Sequence, residues 1–436
     1  MKKTLLLTLL SILTLNVSAQ KFVGGDISLL TKYETNGAKY YDLDGNSITD
    51  MLTFLKEQGL NSMRVRLFVD PTKGGDIAVC QDLDYVKALG KRIKDAGFSF
   101  MLDFHYSDTW ADPGKQWTPD AWKSLSDTQL ADKVYEYTKD CLAQLKAAGA
   151  TPDFIQTGNE ISYGMLWGTE AEAGGKDNNR NRCYTNSSTS NWTRFFNLLK
   201  KAALACREEC PNAKIILHSE RVAKTNVLTD FFDRMKNNDI DYDIIGLSYY
   251  PYDHGTLNKL ETALTTVESK YDKDIMIVET GYFYAWQRDL GDDGADLSAT
   301  YPITPTGQQA FTKALIDLLN KHSKVKGLYW WWMEACENGL NWATKRVSDG
   351  WYNASLFNDD EKVNGKDGIT YNYPAGKAMP AIAELKNFLT TSGISTINRE
   401  PLTTDAAWYT LDGRRLTGQP TAKGIYIHNG KKLLVK

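Results

Sequence analysis

Residues 83–105, LDYVKALGKRIKDAGFSFMLDFH, carry the pattern from which the architecture follows. Leu83, Val86, Leu89 and Ile93 recur at three- and four-residue spacing, the period of one helix face, and Gly97 stands where a helix of this register ends. From Phe98 to Phe104 the chain is nearly all apolar, as a strand buried on both faces requires, and this run closes on Asp103 and His105. A strand that ends in ionisable groups is the unit to look for elsewhere.

The unit recurs along most of the chain. Candidate strands are Phe22–Asp26, Ser62–Phe68, Phe98–Phe104, Phe154–Thr157, Lys214–His218, Tyr242–Ser248, Ile275–Glu279 and Gly327–Trp332. Helix-period segments follow them: Asp50–Leu55 stopped by Gly59, Leu83–Ile93 by Gly97 and Leu130–Leu145 by Gly149, then stretches near Trp192–Cys206, Val227–Met235, Leu257–Lys270, Gln308–Leu319 and Ala378–Leu389. Eight such alternations without a tandem repeat predict an α/β fold, a (β/α)8 TIM barrel over residues 20–395. A doubly wound sheet is the competing topology, but no Gly-rich dinucleotide fingerprint follows the first strand.

The ends of the chain differ from this middle. Residues 1–19 read as a signal peptide: Lys2 and Lys3, an apolar run from Leu5 to Leu15, then Val17-Ser18-Ala19 before an expected mature start near Gln20. Export to periplasm, cell surface or medium is expected, with no transmembrane segment, since no other stretch nears the length needed to span a bilayer. Residues 396–436 form a short tail with β-type runs at Trp408–Leu411, Ile425–Ile427 and Leu433–Val435, joined by Asp-Gly and Asn-Gly turns. Either a sorting or attachment element or strands packed on the main domain would account for it. Six cysteines lie outside CxxC or zinc-type spacing and are read as buried thiols.

Composition narrows the function. With 51 Lys plus Arg against 54 Asp plus Glu, the net charge of −3 excludes a basic nucleic-acid face, and 42% hydrophobic residues exclude disorder. The 12 Trp, 23 Tyr and 15 Phe exceed what a core needs and suit the apolar faces of sugars. HExxH, GxSxG and P-loop motifs are absent, so neither a zinc hydrolase, a serine esterase nor a nucleotide enzyme is indicated.

In a TIM barrel the chemistry lies at the carboxyl ends of the strands. The residues there are Asp26, Arg64 and Arg66, Asp103 and His105, Asn159 and Glu160, His218, Tyr249 and Tyr250, Glu279, and Trp330 to Trp332. Glu160 and Glu279, on the fourth and seventh strands, can face each other across the mouth, and glycosidic cleavage needs such a carboxyl pair. Glu160 is assigned as acid/base and Glu279 as nucleophile with retention, Arg66 being the expected cation that keeps Glu279 ionised and Asn159 the expected holder of a sugar 2-OH. His105 and His218 are read as substrate or supporting contacts. Trp110, Trp167, Trp286, Trp330, Trp332 and Trp351, with Tyr249 and Tyr250, are the candidate sugar platforms, whereas Trp331, of opposite parity in the strand, is assigned to the core. No metal ligands or cofactor are called for. The acidic run Asp289–Asp296 fails the twelve-residue Ca²⁺-loop pattern and reads as a solvated loop.

Gly24-Gly-Asp-Ile-Ser28, Arg64-Val-Arg66, Leu102-Asp-Phe-His-Tyr-Ser-Asp-Thr-Trp-Ala-Asp-Pro113, Gly158-Asn-Glu160, Gly246-Leu-Ser-Tyr-Tyr-Pro-Tyr252 and Val278-Glu-Thr280 together resemble glycoside hydrolase family fifty-three, the clan-A endo-β-1,4-galactanases. The likeness spans most of residues 22–390, and its most specific element is the run 107–113, which brings Asp108 into the candidate binding set. It implies retaining hydrolysis of β-1,4-galactan, the pectic side chain also found in type I arabinogalactan; separately, a monomer is expected. A clan-A enzyme acting on mannan, xylan or glucan, or a noncatalytic glycan-binding barrel, are the alternatives. Two departures stand out. The eighth strand reads Tyr329-Trp-Trp-Trp-Met-Glu-Ala335 where the family usually has Tyr-Trp-Glu-Pro-Ala, and the seventh loop has acids without the His of the family's Ca²⁺ site, which counts against a structural Ca²⁺.

Overall fold

The computed structural model describes residues 20–173, 181–184, 188–285, 287–336, 352–358, 362–364, 370–372, 376–389, 408–410, 415–428 and 431–435. The leader at residues 1–19, Trp286 and Trp351 lie outside them. Eight parallel strands close into a barrel: β1 (Phe22–Asp26), β2 (Ser62–Leu67), β3 (Ser99–Phe104), β4 (Phe154–Thr157), β5 (Lys214–Ser219), β6 (Ile244–Tyr249), β7 (Asp274–Thr280) and β8 (Val325–Trp330). Neighbours in sequence pair in order, and β8 returns to β1.

The crossovers are α1 (Met51–Glu57), α2 (Leu83–Asp95), α3 (Asp127–Ala147), α4 (Thr189–Glu209), α5 (Thr225–Asn237), α6 (Leu257–Lys270) and α7 (Pro305–Leu319). Asp50, Asp82 and Ser126 cap the first three by accepting from free N–H groups of the first turn. Gly59, Gly97 and Gly149 end them at φ of 87°, 77° and 78°, left-handed values that a side chain would oppose. The helix expected after β8 is a correction: Pro380–Leu389 winds as a 3₁₀ helix. It still buries Ala381, Ile382, Leu385 and Phe388.

Two cores result. A small one fills the barrel bore with Met101, Phe154, Ile216, Ile244, Met276, Val278 and Tyr329, and a large one lies between strands and helices. Near the carboxyl ends of the strands the inward positions turn polar, with Arg66 in register with Asp103, Asp103 with Gln156 and Ser248 with Glu279. Cys80, Cys141, Cys183, Cys206 and Cys210 are reduced thiols, all but Cys80 buried.

The chain divides between Thr390 and Thr391 into two units. In the second, Trp408–Tyr409, Arg415–Leu416, Gly424–His428 and Lys431–Val435 pair as a four-stranded antiparallel sheet. Among the described residues no helix is long and apolar enough to cross a membrane.

Candidate active site

The site is built on a buried guanidinium. Arg64 reaches Asp26 Oδ2 at 3.0 Å through Nη1, and through Nη2 reaches Asp103 Oδ2 at 2.7 Å, Asn159 Oδ1 at 3.0 Å and Glu279 Oε1 at 2.9 Å. Burial opposes charge on Asp103, but Arg64 and His105 outweigh it and hold the carboxyl below its ordinary range. His105 Nδ1 accepts from Ala111 N at 3.0 Å, which leaves its hydrogen on Nε2, 3.1 Å from Asp103 Oδ2.

Above this layer Glu160 and Glu279 both line one cleft of about 710 Å³. The turn that presents Glu160 is strained: Gly158 has φ 103°, and Glu160 itself sits in the left-handed region at φ 48°, ψ 57°. A non-glycine residue there costs of order 1–3 kcal/mol, which the surrounding contacts must outweigh. Glu160 Oε1 accepts from Ser248 Oγ at 2.6 Å, and Ser248 is the register partner of Glu279, so the two carboxyls converge through neighbouring strands.

The two glutamates have opposite support. Burial raises Glu279 to about 7, opposed by Arg64 and by the Tyr250 hydroxyl, which donates to Oε2 at 2.9 Å. Burial raises Glu160 well above the carboxylate range, and the negative charges of Glu279 and Glu220 push it further; Ser248 is the opposing contact. These contacts favour charge on Glu279 and the proton on Glu160. The cation beside Glu279 is Arg64; Arg66, expected in that place, instead meets Asp26 Oδ1 at 3.2 Å and lies beneath the aromatic wall. Its Cζ stands 4.8 Å from the ring centroids of Trp110 and Trp331 and 5.7 Å from that of Trp332.

The structure sorts the sequence candidates. Glu160, Glu279, Asn159, Trp110, Tyr250 and Trp332 line the cleft, and Asp26, Arg66, Asp103, His105 and His218 are buried. Asp108 binds backbone, accepting from Asp70 N at 3.0 Å and Asp120 N at 2.8 Å, and so ties two loops together.

Three platform candidates are corrections, because their polar edges are consumed within the protein. Trp167 donates to Tyr163 O at 3.0 Å, Tyr249 to Gly255 O at 3.0 Å and Trp330 to Ala354 O at 2.7 Å, and all three are buried off the cleft wall. Trp331 is the converse, standing on the wall where strand parity assigns it to the core. The strand ends at Trp330 and Trp332 takes φ 50°, so alternation no longer governs either residue.

Sequence reasoning also missed Ser248, Gln156 and Glu220. Ser248 and Gln156 were hidden as ordinary strand residues; Glu220 follows β5 directly and could have been found by extending the mouth rule one residue past Ser219. At the rim, Lys224 pairs with Asp293 at 2.7 Å and Arg288 pairs with Asp253, so side-chain cations already meet these acids.

Comparison with known proteins agrees with this geometry. The family model described as Glycosyl hydrolase family 53 matches residues 22–365. A protein of Niallia circulans, described as an uncharacterized protein in the bgaB 5′ region, is 34% identical over 77% of this chain and 89% of its own. The arabinogalactan endo-β-1,4-galactanase of Cellvibrio japonicus is 32% identical over 79% of this chain and 88% of its own. Among solved structures, the Ignisphaera aggregans GH53 catalytic domain superposes with a TM-score of 0.68 at 32% identity, covering 85% of this chain and 95% of that one.

Proposed function

This chain belongs to glycosyl hydrolase family 53, and on that premise we propose that it is an exported endo-β-1,4-galactanase that cleaves β-1,4-galactan with retention of configuration. The observation that carries the reading is the unequal support of two carboxyls on one cleft. Arg64 and Tyr250 contact Glu279, whereas Glu160 has a hydroxyl and two negative neighbours.

In the first step Glu279 attacks the anomeric carbon and Glu160 gives its proton to the departing glycosidic oxygen. Forming the glycosyl ester removes the charge on Glu279. One of the causes that raise Glu160 thereby vanishes, so Glu160 then takes a proton from the incoming water. Asn159 keeps one Nδ2 hydrogen beyond its bond to Ala111 O, suited to a sugar 2-OH. Trp110, Trp331 and Trp332 offer apolar faces to successive sugars of a bound chain, the arrangement an endo-acting enzyme needs. Carboxyl groups supply all of this chemistry, and no cofactor takes part.

The test is incubation with galactan and with mannan, xylan and β-glucan, following new reducing ends and the anomer first released. New ends from galactan, with β-product appearing first, are expected. Cleavage of another polymer alone, or of none, overturns the substrate reading; Glu279→Ala retaining turnover overturns the roles.

A further inference from the structure

A buried hydrogen-bond chain runs from Asp103, in the layer beneath, through Gln156, His218 and Ser248 to Glu160. Asp103 is ionised, so the amide group 2.6 Å from its Oδ1 must be a donor, which orients Gln156 with Nε2 toward Asp103. The second hydrogen of that nitrogen faces His218 Nδ1 at 2.9 Å, and the backbone N–H of Glu160 points at the same ring atom from 3.3 Å. Asn159 Oδ1 also stands 3.1 Å from Nδ1 and would favour a hydrogen there, but that oxygen already accepts from Arg64 at 3.0 Å, and Gln156 Nε2 stands nearer to Nδ1, at 2.9 Å, than to it, at 3.2 Å. Two donors against one occupied acceptor decide for a lone pair on Nδ1.

A neutral imidazole with its lone pair on Nδ1 carries its hydrogen on Nε2. Burial, with Arg64 nearby, keeps His218 neutral. Nε2 lies 2.7 Å from Ser248 Oγ and donates to it, so the serine must direct its own hydrogen to Glu160 Oε1, 2.6 Å away. An oxygen that accepts from Ser248 is the carbonyl oxygen of the acid form.

We propose that His218 and Ser248 are positioning residues that place the catalytic proton of Glu160 on Oε2, the one oxygen left to deliver it. This rests on the acid/base assignment of Glu160 above. The other titratable or charged groups facing Glu160 are Glu279 from β7, Glu220 after β5, Asp112 after β3 and Tyr250 after β6; those facing His218 are Arg64, Asp103, His105 and His254.

The test has one readout independent of activity. In protein labelled with ¹⁵N-histidine, two-bond ¹H–¹⁵N correlation should show His218 as the Nε2–H tautomer across neutral pH, its signals identified by their loss in His218→Gln. An Nδ1–H tautomer, or an imidazolium, overturns the proposal whether or not the protein cleaves galactan.

The second readout is the pH profile of kcat/KM on galactan. The Ser248 hydrogen bond favours the charged form of Glu160, so Ser248→Ala should move the alkaline limb upward by about one pH unit. Ser248→Thr should restore it. His218→Gln, which can place an amide nitrogen at the Nε2 position, should resemble the parent more closely than His218→Leu. An unmoved alkaline limb in a folded Ser248→Ala protein overturns the positioning role, while loss of galactan cleavage in the parent counts against the proposed function instead.

Discussion

Tyr250→Phe isolates the support of Glu279, the proposed nucleophile. The hydroxyl donates to Glu279 Oε2 at 2.9 Å in a buried setting, and a hydrogen bond to a charged group contributes about 1.5–3 kcal/mol. At about 1.4 kcal/mol per pKa unit, its loss raises Glu279 by about 1–2 units from a value already lifted to about 7 by burial. The sign follows from which form the hydroxyl favours: it stabilises the carboxylate, the form that attacks in the proposed mechanism. The acid limb of kcat/KM therefore moves to higher pH, and well below it the variant loses about 10- to 100-fold against the parent. The phenylalanine ring retains the stack on Tyr252, whose centroid lies 5.6 Å away, so the fold should survive. Initial rates of reducing-end release across the pH range, with a thermal melt as control, measure it. A lower plateau with an unshifted acid limb would refute the reasoning.

Other perturbations reach other parts of the site. Arg64→Met leaves Asp26, Asp103 and Glu279 around an uncharged side chain, and urea denaturation should show a loss of about 3–5 kcal/mol. Glu334, raised by burial to about 8, binds a proton in the folded state that the unfolded chain releases above the ordinary carboxylate range. Its contribution is complete below that range and is lost as pH rises toward 8, at up to about 1.4 kcal/mol per unit. Glu334→Gln should flatten the fall of Tm with pH over that window. Trp331→Ala should raise KM several-fold without moving either pH limb, whereas Trp330→Phe, which removes the donor to Ala354 O, should lower Tm by a few degrees. Chelation with EDTA should change neither galactan cleavage nor Tm.

Much of the barrel was legible because its signals are local. The apolar runs placed all eight strands to within about two residues at either end, and Gly59, Gly97 and Gly149 marked helix ends that depend on left-handed backbone. Glu160 and Glu279 were legible for a similar reason, since a strand's carboxyl end in this fold must face the mouth. Trp167, Tyr249 and Trp330 misled because an aromatic ring near a mouth looks the same in sequence whether its polar edge meets substrate or a backbone carbonyl.

What the amino-acid order determined by itself was periodicity, and with it the barrel, the cleft-bearing end and the pair of carboxyls. Only the tertiary structure decided which cation supports which carboxyl, which tryptophans form the wall, and that Ser248 and His218 stand behind Glu160. Arg64 and Arg66 point into the same bore two residues apart, and nothing local separates them. Their roles divide because Asp103, Asn159 and Glu279 meet Arg64, whereas three indole rings gather round Arg66, one of which, Trp331, also lies 5.5 Å from Arg64 Cζ. Hydrogen bonds and charge pairs act over about 3 Å between strands far apart in the chain, so their partners are set by closure of the barrel.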